Sequence, residues 1–356
     1  MKILFTFYIA SGGMETLNRM RCNELSKHNI ECHLLYSRAG SMLHNNSGTT
    51  VYITSRDDDI WRIIHTHNYD AVIVASDYEM LERFRRMGYR GILIFEAQGL
   101  GIQEEAVNLL TKAKPLLLAH CNAFILPPTL HLMELVMGMF PSLPRFIFPN
   151  LLDMDLFHYT PNDPPPFPVI AWIGRLEPNK NWLDYLDISH QIIKSYPSAR
   201  LWMFYDSQLI IPEEQERMQA KVEQLGLGPN LMMLDNIPNR EMPVFFSLIG
   251  DSGGILLSTS LLEGFGYAVA EAISCRCPVL SSDSDGVRIS VKHNVTGKLY
   301  PQGDIEQAVQ EALELMGNWE LRNTIRAEGV KHISTELSPN RYARSFREVM
   351  NALGVF

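Results

Sequence analysis

Glu263 and Glu271 are separated by seven residues and flank a Gly264-Phe265-Gly266 turn. Glycines let a backbone approach an anion closely, and the alanine-rich helix predicted after the turn would direct free N–H groups toward the same point. At ~3.3 Å per loop residue and ~1.5 Å per helical residue, the two carboxylates would lie roughly 10–15 Å apart. This spacing of the two carboxylates favours a sugar diphosphate site. The alternative is a glycine turn that only begins a helix, with both glutamates exposed to solvent, and a Gly-x-Gly turn alone would favour that interpretation.

Arg175 and Lys180 follow the strand predicted at 168–173, directly after Gly174. Cleavage of a sugar–phosphate bond leaves negative charge on the diphosphate, and fixed cations can stabilise that charge without a metal ion. Two solvated surface cations are the alternative interpretation. The position directly after the first strand of a second domain favours the phosphate role.

Length and charge restrict the class of protein. The 356 residues favour two domains, because single cores rarely exceed ~250–300 residues. The net charge of −9 disfavours nucleic-acid binding. The five cysteines are few and odd in number, which favours reduced thiols. The first residues resemble a strand instead of a signal peptide, and no apolar run reaches ~20 residues, so we expect a cytoplasmic chain with at most peripheral membrane contact.

Short apolar runs alternate with helical stretches, which predicts an α/β fold with parallel sheets covered by helices on both faces. The predicted strands are 2–9, 30–36, 71–75, 91–95, 117–126, 145–148, 168–173, 200–205, 231–234, 253–258, 278–281 and 297–300. A proline-rich stretch at 162–168 can neither form helix nor donate to a sheet. We therefore predict domains at 1–157 and 158–337, with a C-terminal helix over 338–356 that packs back on the first domain.

Four segments together resemble retaining glycosyltransferase family 4. They are Gly12-Gly13-Met14-Glu15, the run from Pro149 to Phe157, the run from Gly174 to Asn181, and the run from Thr259 to Gly266. The third is similar to the family's Gly-Arg-Leu-x-x-x-Lys-Gly with Asn181 in place of the last glycine. The fourth resembles Pro-Ser-x-x-Glu-Gly-Phe-Gly with Thr259 in place of proline. The resemblance implies the GT-B fold, with two Rossmann-like domains facing across a cleft.

The resemblance also implies roles for individual residues. Glu263 would contact hydroxyls of the donor sugar, and Glu271 would accept hydrogen bonds from the ribose. The other donor-binding residues it implies are Gly12, Gly13, Gly174, Arg175, Lys180, Gly264, Phe265 and Gly266. Arg175, Lys180 and Glu263 would be catalytic. The donor would be a UDP-sugar, with a GDP-sugar as the second choice, and no cofactor is expected.

Gln98 departs from the family pattern. It stands where the resemblance would place a cleft histidine, and we include it among the candidate catalytic residues. A glutamine can hydrogen-bond a sugar hydroxyl but cannot carry a proton near neutral pH.

Other charged motifs are better explained without a ligand. Asp153-Met154-Asp155 and Asp283-Ser284-Asp285 favour Asx-type turns, and Asp57-Asp58-Asp59 favours a helix N-terminus. His65 and His67 have no third ligand nearby in the sequence, so we expect no metal. The mixed cluster at 82–90 is typical of a solvated helix face, or of contact with a charged acceptor or an anionic membrane surface.

The resemblance thus implies a metal-independent, retaining hexosyltransferase that binds a nucleotide-sugar donor. The acceptor, whether glycan, lipid-linked or small molecule, is not encoded in a recognisable motif. Two alternatives stay open: an epimerase or phosphorylase-type enzyme on the same fold, and a non-catalytic nucleotide-sugar-binding subunit.

Overall fold

The computed structural model describes residues 1–40, 48–101, 103–207 and 210–355. The chain forms two compact units. Unit 1 comprises Met1–Leu151 together with Leu337–Phe356, and unit 2 comprises Leu152–Glu336.

Unit 1 contains a seven-stranded sheet in the order β3-β2-β1-β4-β5-β6-β7. Every neighbouring pair in it is parallel. Its strands are β1 (Lys2–Ile9), β2 (Glu31–Arg38), β3 (Thr50–Ile53), β4 (Ala71–Ala75), β5 (Ile92–Glu96), β6 (Ala123–Leu126) and β7 (Arg145–Ile147). The helices between them are α1 (Gly12–Ser26), α2 (Asp57–His67), α3 (Glu79–Arg86), α4 (Gln103–His120) and α5 (Leu130–Met139). All five residues of β4 are buried, as expected for a central strand covered on both faces.

Unit 2 contains a six-stranded parallel sheet in the order β10-β9-β8-β11-β12-β13. Its strands are β8 (Val169–Ile173), β9 (Arg200–Tyr205), β10 (Leu231–Asp235), β11 (Ile255–Ser258), β12 (Val279–Ser282) and β13 (Lys298–Tyr300). Its helices are α6 (Trp182–Ser195), α7 (Pro212–Leu225), α8 (Met242–Asp251), α9 (Tyr267–Ser274), α10 (Ile305–Gly317) and α11 (Trp319–Glu336).

The last helix, α12 (Pro339–Ala352), belongs to unit 1. Its apolar stripe covers α1 and β1, and the Phe346 ring lies 5.8 Å from that of Phe5. The Tyr342 ring lies 5.4 Å from Phe148. The stripe visible in the sequence therefore has its partner within unit 1.

Residues 152–157, which the sequence analysis assigns to the first domain, belong to unit 2. Ser274 at the end of α9 donates a hydrogen bond to the Phe157 carbonyl oxygen at 2.6 Å. The Phe157 ring also lies 6.5 Å from that of Phe246 in α8. These contacts attach the segment to unit 2 before the proline-rich stretch begins.

Two strand predictions differ from the structure. The strand predicted at 117–126 is helical through His120, and only Ala123–Leu126 pairs in the sheet. Leu117 lies on the buried face of α4, whereas Leu118 is 48% exposed. A short apolar run in the sequence does not distinguish the end of a helix from a strand. The second difference is β3, an edge strand whose residues are only half-buried or exposed, so it lacks the apolar signal.

In each unit the strand order reverses beside the first strand. The reversal lies between β1 and β4 in unit 1, and between β8 and β11 in unit 2. Loops that leave the carboxyl ends of such strands diverge to opposite faces of the sheet and leave a crevice where ligands bind in α/β proteins. The sequence motifs at 174–181 and 259–266 follow β8 and β11, so both emerge at this point.

A buried ion pair organises the interior of unit 1. Arg21 on α1 donates to both carboxylate oxygens of Glu96 at 2.6 and 2.8 Å, and each side chain is only 1% exposed. The guanidinium also lies 3.8 Å from the centre of the Phe5 ring and bonds Asn18. Burial alone would lower the pKa of Arg21, but Glu96 and Tyr342 more than offset it, so the pKa is raised.

Substitution Arg21→Met should destabilise unit 1 by about 3–5 kcal/mol, because it leaves the Glu96 carboxylate buried without its partner. Hydrogen exchange of the β1 and β5 amides would measure the loss. The double variant Arg21→Met with Glu96→Leu should regain most of it, because no isolated charge remains. Equal losses in the single and double variants would contradict the assignment.

Candidate functional site

The site of unit 2 begins at the carboxyl end of β8. Gly174 has no room for a side chain, because a Cβ there would lie 2.9 Å from the Trp172 ring and 3.0 Å from Lys180 Cγ. Glycine therefore lets the Lys180 stem pack against the end of the strand. The 3-10 turn Pro178–Lys180 then brings the chain to α6.

Asn181 occupies the position at which the family motif carries glycine. Its backbone is left-handed, with φ 49° and ψ 50°. Glycine adopts this conformation without cost, and asparagine is among the few other residues that tolerate it. The substitution therefore preserves the backbone path between Lys180 and α6.

The loop after β11 is joined to this turn through Asn179. The Leu261 N–H donates to the Asn179 carbonyl oxygen at 2.8 Å. The Asn179 side chain donates to the Leu262 carbonyl at 3.1 Å and accepts from the Leu262 N–H at 3.2 Å. Asn179 thus fixes the backbone of the two residues that precede Glu263.

Thr259, which replaces the family's proline, adds a second connection. Its hydroxyl lies 2.9 Å from the carbonyl oxygens of both Lys180 and Asn181, to which it can donate. It also accepts from Trp172 Nε1 at 3.1 Å, and Thr259 is 1% exposed. Sequence analysis did not anticipate the roles of Thr259 and Asn179, since threonine and asparagine are common loop residues.

The two connections bring Lys180 and Glu263 together. Lys180 Nζ lies 2.5 Å from Glu263 Oε1, with the side chains 22% and 16% exposed. A partly exposed ion pair on two interlocked loops can exchange its partners for a ligand more readily than a fully buried pair. The structure thus brings two of the predicted site residues, Lys180 and Glu263, into direct contact.

The loop after β12 contacts the backbone of Glu263. The Glu263 N–H donates to the Ser284 carbonyl at 3.2 Å, and Glu263 bridges to Asp285. Gly286 lies so close that a Cβ would be 2.2 Å from the Glu263 carbonyl oxygen. Asp283 accepts two hydrogen bonds of 2.6 Å from Arg288, so an ion pair accounts for this aspartate instead of the predicted Asx turn.

Arg175 is placed differently from Lys180. It is 56% exposed and forms a 3.0 Å ion pair with Glu177 of the same loop. A long exposed side chain of this kind is free to reorient when a ligand anion arrives.

The glycine-rich turn leads into α9. Gly266 is left-handed at φ 76° and precedes the first residue of α9, and a Cβ on it would lie 3.0 Å from Val287 Cγ1. Phe265 is 5% exposed, so its side chain anchors the turn. Gly264 connects Glu263 to the turn. Glu271 lies within α9 and is 8% exposed.

Gln98 lies in unit 1 after β5, within a polar network. Its amide donates to Asn150 Oδ1 at 2.9 Å and accepts from Asn150 Nδ2 at 3.0 Å. It also donates to Glu96 at 3.3 Å. Both ends of the amide are therefore engaged, and Gln98 connects the Arg21–Glu96 pair to Asn150. This role of Asn150 was also missed by the sequence analysis.

Gly12 and Gly13 also lie in unit 1, at the carboxyl end of β1 beside the strand-order reversal. They open α1, and Gly12 is left-handed at φ 68°. Nothing lies within 4 Å of the position that a Cβ on Gly12 would occupy, so the backbone conformation, and not crowding, favours glycine there. The predicted helix entry is present, with Glu15 in its first turn.

The other motifs have structural explanations. Asp153 accepts from the N–H groups of Asp155 and Leu156, as predicted for an Asx turn. Asp57 begins α2, also as predicted. In the cluster at 82–90, Arg85 donates to backbone carbonyls of Tyr89, Gly91 and His120, which makes it a structural contact.

Within the described ranges, no group of three or more His, Cys, Asp or Glu side chains could hold a metal ion. The five cysteines are free and buried, and burial raises the pKa of Cys277 to about 12. In the same part of the chain, no helix combines the length and apolarity needed to cross a bilayer.

Residues 158–332, which contain the loops after β8, β11 and β12, match the family described as Glycosyl transferases group 1. This segment is a group 1 glycosyltransferase domain. Trehalose synthase of Pyrococcus horikoshii is 22% identical over 193 residues, which are 53% of this chain and 45% of that protein. Poly(glycerol-phosphate) alpha-glucosyltransferase of Bacillus subtilis is 25% identical over 209 residues, 58% of this chain and 29% of that protein. The chain thus spans less than half the length of these two relatives.

Solved structures match this chain over nearly its whole length. The Anabaena protein HepE in complex with UDP and glucose superposes with a TM-score of 0.84 at 17% identity, covering 99% of this chain and 100% of that one. A glycosyltransferase from Rickettsia africae gives a TM-score of 0.79 at 14% identity, covering 99% and 98%. The predicted fold of two Rossmann-like domains of the GT-B type is confirmed, as is the predicted recognition of a GT-B glycosyltransferase.

Substitution Gly286→Ala should destabilise unit 2 by about 1–3 kcal/mol, because the new methyl group would displace the Glu263 carbonyl. Urea denaturation followed by tryptophan fluorescence would report mainly on unit 2, which holds Trp172, Trp182, Trp202 and Trp319. Gly228→Ala is the matched control, because nothing lies within 4 Å of its Cβ position. Equal stabilities of the two variants would refute the tight packing inferred at Gly286.

Proposed function

We propose that this protein transfers a sugar from a nucleoside diphosphate sugar to an acceptor hydroxyl, with retention at the anomeric carbon and without a metal ion. The observation that supports it most is the Lys180–Glu263 pair, fixed on two interlocked loops at the strand-order reversal of a group 1 glycosyltransferase domain. A cation and a hydroxyl-accepting carboxylate side by side suit the junction of a phosphate and a sugar.

Similar structures support the choice of donor. The Anabaena HepE structures contain UDP with glucose and UDP-glucose. We therefore place a UDP-sugar first among the donors and a GDP-sugar second.

Each donor-site residue would have the role that the family resemblance implies. Lys180 and Arg175 would bind the diphosphate and stabilise the charge that develops on it as the sugar leaves. Glu263 would accept hydrogen bonds from the sugar hydroxyls. The N–H groups at the start of α9, which follows the Gly264–Gly266 turn, would bind phosphate oxygens, and Glu271 would bind the ribose.

Unit 1 would hold the acceptor. Its network gives Gln98 a positioning role, because the Asn150 and Glu96 contacts already engage the amide. The acceptor proton would then pass to the departing phosphate oxygen, as in the front-face mechanism proposed for retaining enzymes of this type.

Two substitutions test the donor site. Glu271→Gln should weaken UDP binding about tenfold, measured by isothermal titration calorimetry, because the neutral amide is a poorer acceptor for ribose hydroxyls. Lys180→Met should slow release of UDP from UDP-glucose about 100-fold or more, because one fixed donor to the developing charge is lost. Glu213→Gln, an exposed residue in the first turn of α7, is the control.

Three results would count against the proposal. Neither UDP nor UDP-glucose could bind the wild-type protein at millimolar concentration. Both variants could match the control. Nuclear magnetic resonance could show UDP-glucose converted to another UDP-hexose without acceptor, which would indicate the epimerase alternative.

A further inference from the structure

The cations of the unit 2 site are each paired with a carboxylate. Lys180 pairs with Glu263, Arg175 with Glu177, and Arg288 with Asp283. A nucleoside diphosphate brings at least two negative charges to this site. A phosphate that binds one of these cations must compete with the paired carboxylate or lie beside it.

The Lys180–Glu263 pair differs from the other two in how it is held. Each of those connects residues a few positions apart in one loop, with an arginine 56% exposed. Lys180 and Glu263 lie on different loops that Asn179 and Thr259 bond together, and the Glu263 N–H is tied to Ser284. Neither backbone can withdraw, so a ligand that takes Lys180 leaves the Glu263 carboxylate beside it.

What happens to Glu263 then depends on the ligand. A nucleotide sugar presents the hydroxyl groups of its sugar, which donate to the carboxylate and replace the hydrogen bond from Lys180. Free nucleoside diphosphate ends in a phosphate instead of a sugar, and that phosphate carries additional negative charge. It would bring two like charges together without compensation, which lowers affinity.

We infer that the Lys180–Glu263 pair makes the site select the sugar-bearing donor over the free nucleoside diphosphate product. The inference rests on the proposed function and adds to it a device for product release. Glu263 would favour departure of the product after transfer because the sugar that satisfied its carboxylate has gone.

The test compares UDP with UDP-glucose by calorimetry on the full chain. Glu263→Gln should tighten UDP binding about tenfold, because it removes the like charge and frees Lys180, and it should leave UDP-glucose binding unchanged or weaker. The ratio of the UDP Kd to the UDP-glucose Kd therefore falls. The gain for UDP should shrink at high salt, since the interaction is between charges.

Three comparisons isolate the effect. Glu177→Gln frees Arg175 in the same way but should change both ligands by similar factors. Glu263→Asp keeps the charge, so UDP should bind no tighter than to the wild type. UMP lacks the terminal phosphate, so its Kd should change least.

The outcomes separate the inference from the proposed function. If neither UDP nor UDP-glucose binds the wild-type chain, both are wrong. If both ligands bind but Glu263→Gln weakens UDP, or shifts both Kd values equally, the selection device is overturned while the donor site stands.

Discussion

The site of unit 2 depends on the hydrogen bonds that join the loops after β8 and β11. Adjacent strands lie about 4.8 Å apart, so their carboxyl ends deliver both loops to one place. The sheet alone does not fix the loops, because each must turn away to reach its own helix. Asn179 and Thr259 supply that constraint with bonds to backbone groups of the opposite loop. Lys180 and Glu263 meet because their backbones are already held.

The ion pairs of the chain differ in exposure, and the difference separates structural from functional roles. Arg21 and Glu96 are each 1% exposed, so breaking the pair would strand a charge in the interior of unit 1. Lys298, fully buried, pairs with Glu311 and Glu314 of α10 in the same structural manner. The Lys180–Glu263 pair remains reachable by solvent. Only a pair of this kind can be exchanged for a ligand without unfolding its surroundings.

The two parallel sheets were predictable from the sequence because central strands carry uninterrupted apolar runs, as in β4. Prediction failed where that signal was absent or ambiguous: β3 is a partly exposed edge strand, and the run at 117–120 forms the last turn of α4. The motif residues Lys180 and Glu263 were predictable from residue type and position. Asn179 and Thr259 were not, since their roles depend on which loop lies opposite, and only the fold determines that.

Departures from the family pattern can be explained by local geometry. Asn181 replaces glycine where a left-handed backbone is required, and asparagine tolerates it. Thr259 replaces proline and gains a hydroxyl that joins two loops. Gln98 replaces histidine, and its amide offers a donor and an acceptor on one plane, which match the Asn150 amide. These two hydrogen bonds hold the Gln98 amide in place after β5, and an amide cannot accept a proton near neutral pH. Under the proposed function, the acceptor proton would leave with the diphosphate bound by Lys180 and Arg175, so the chemistry would depend on the cations of unit 2.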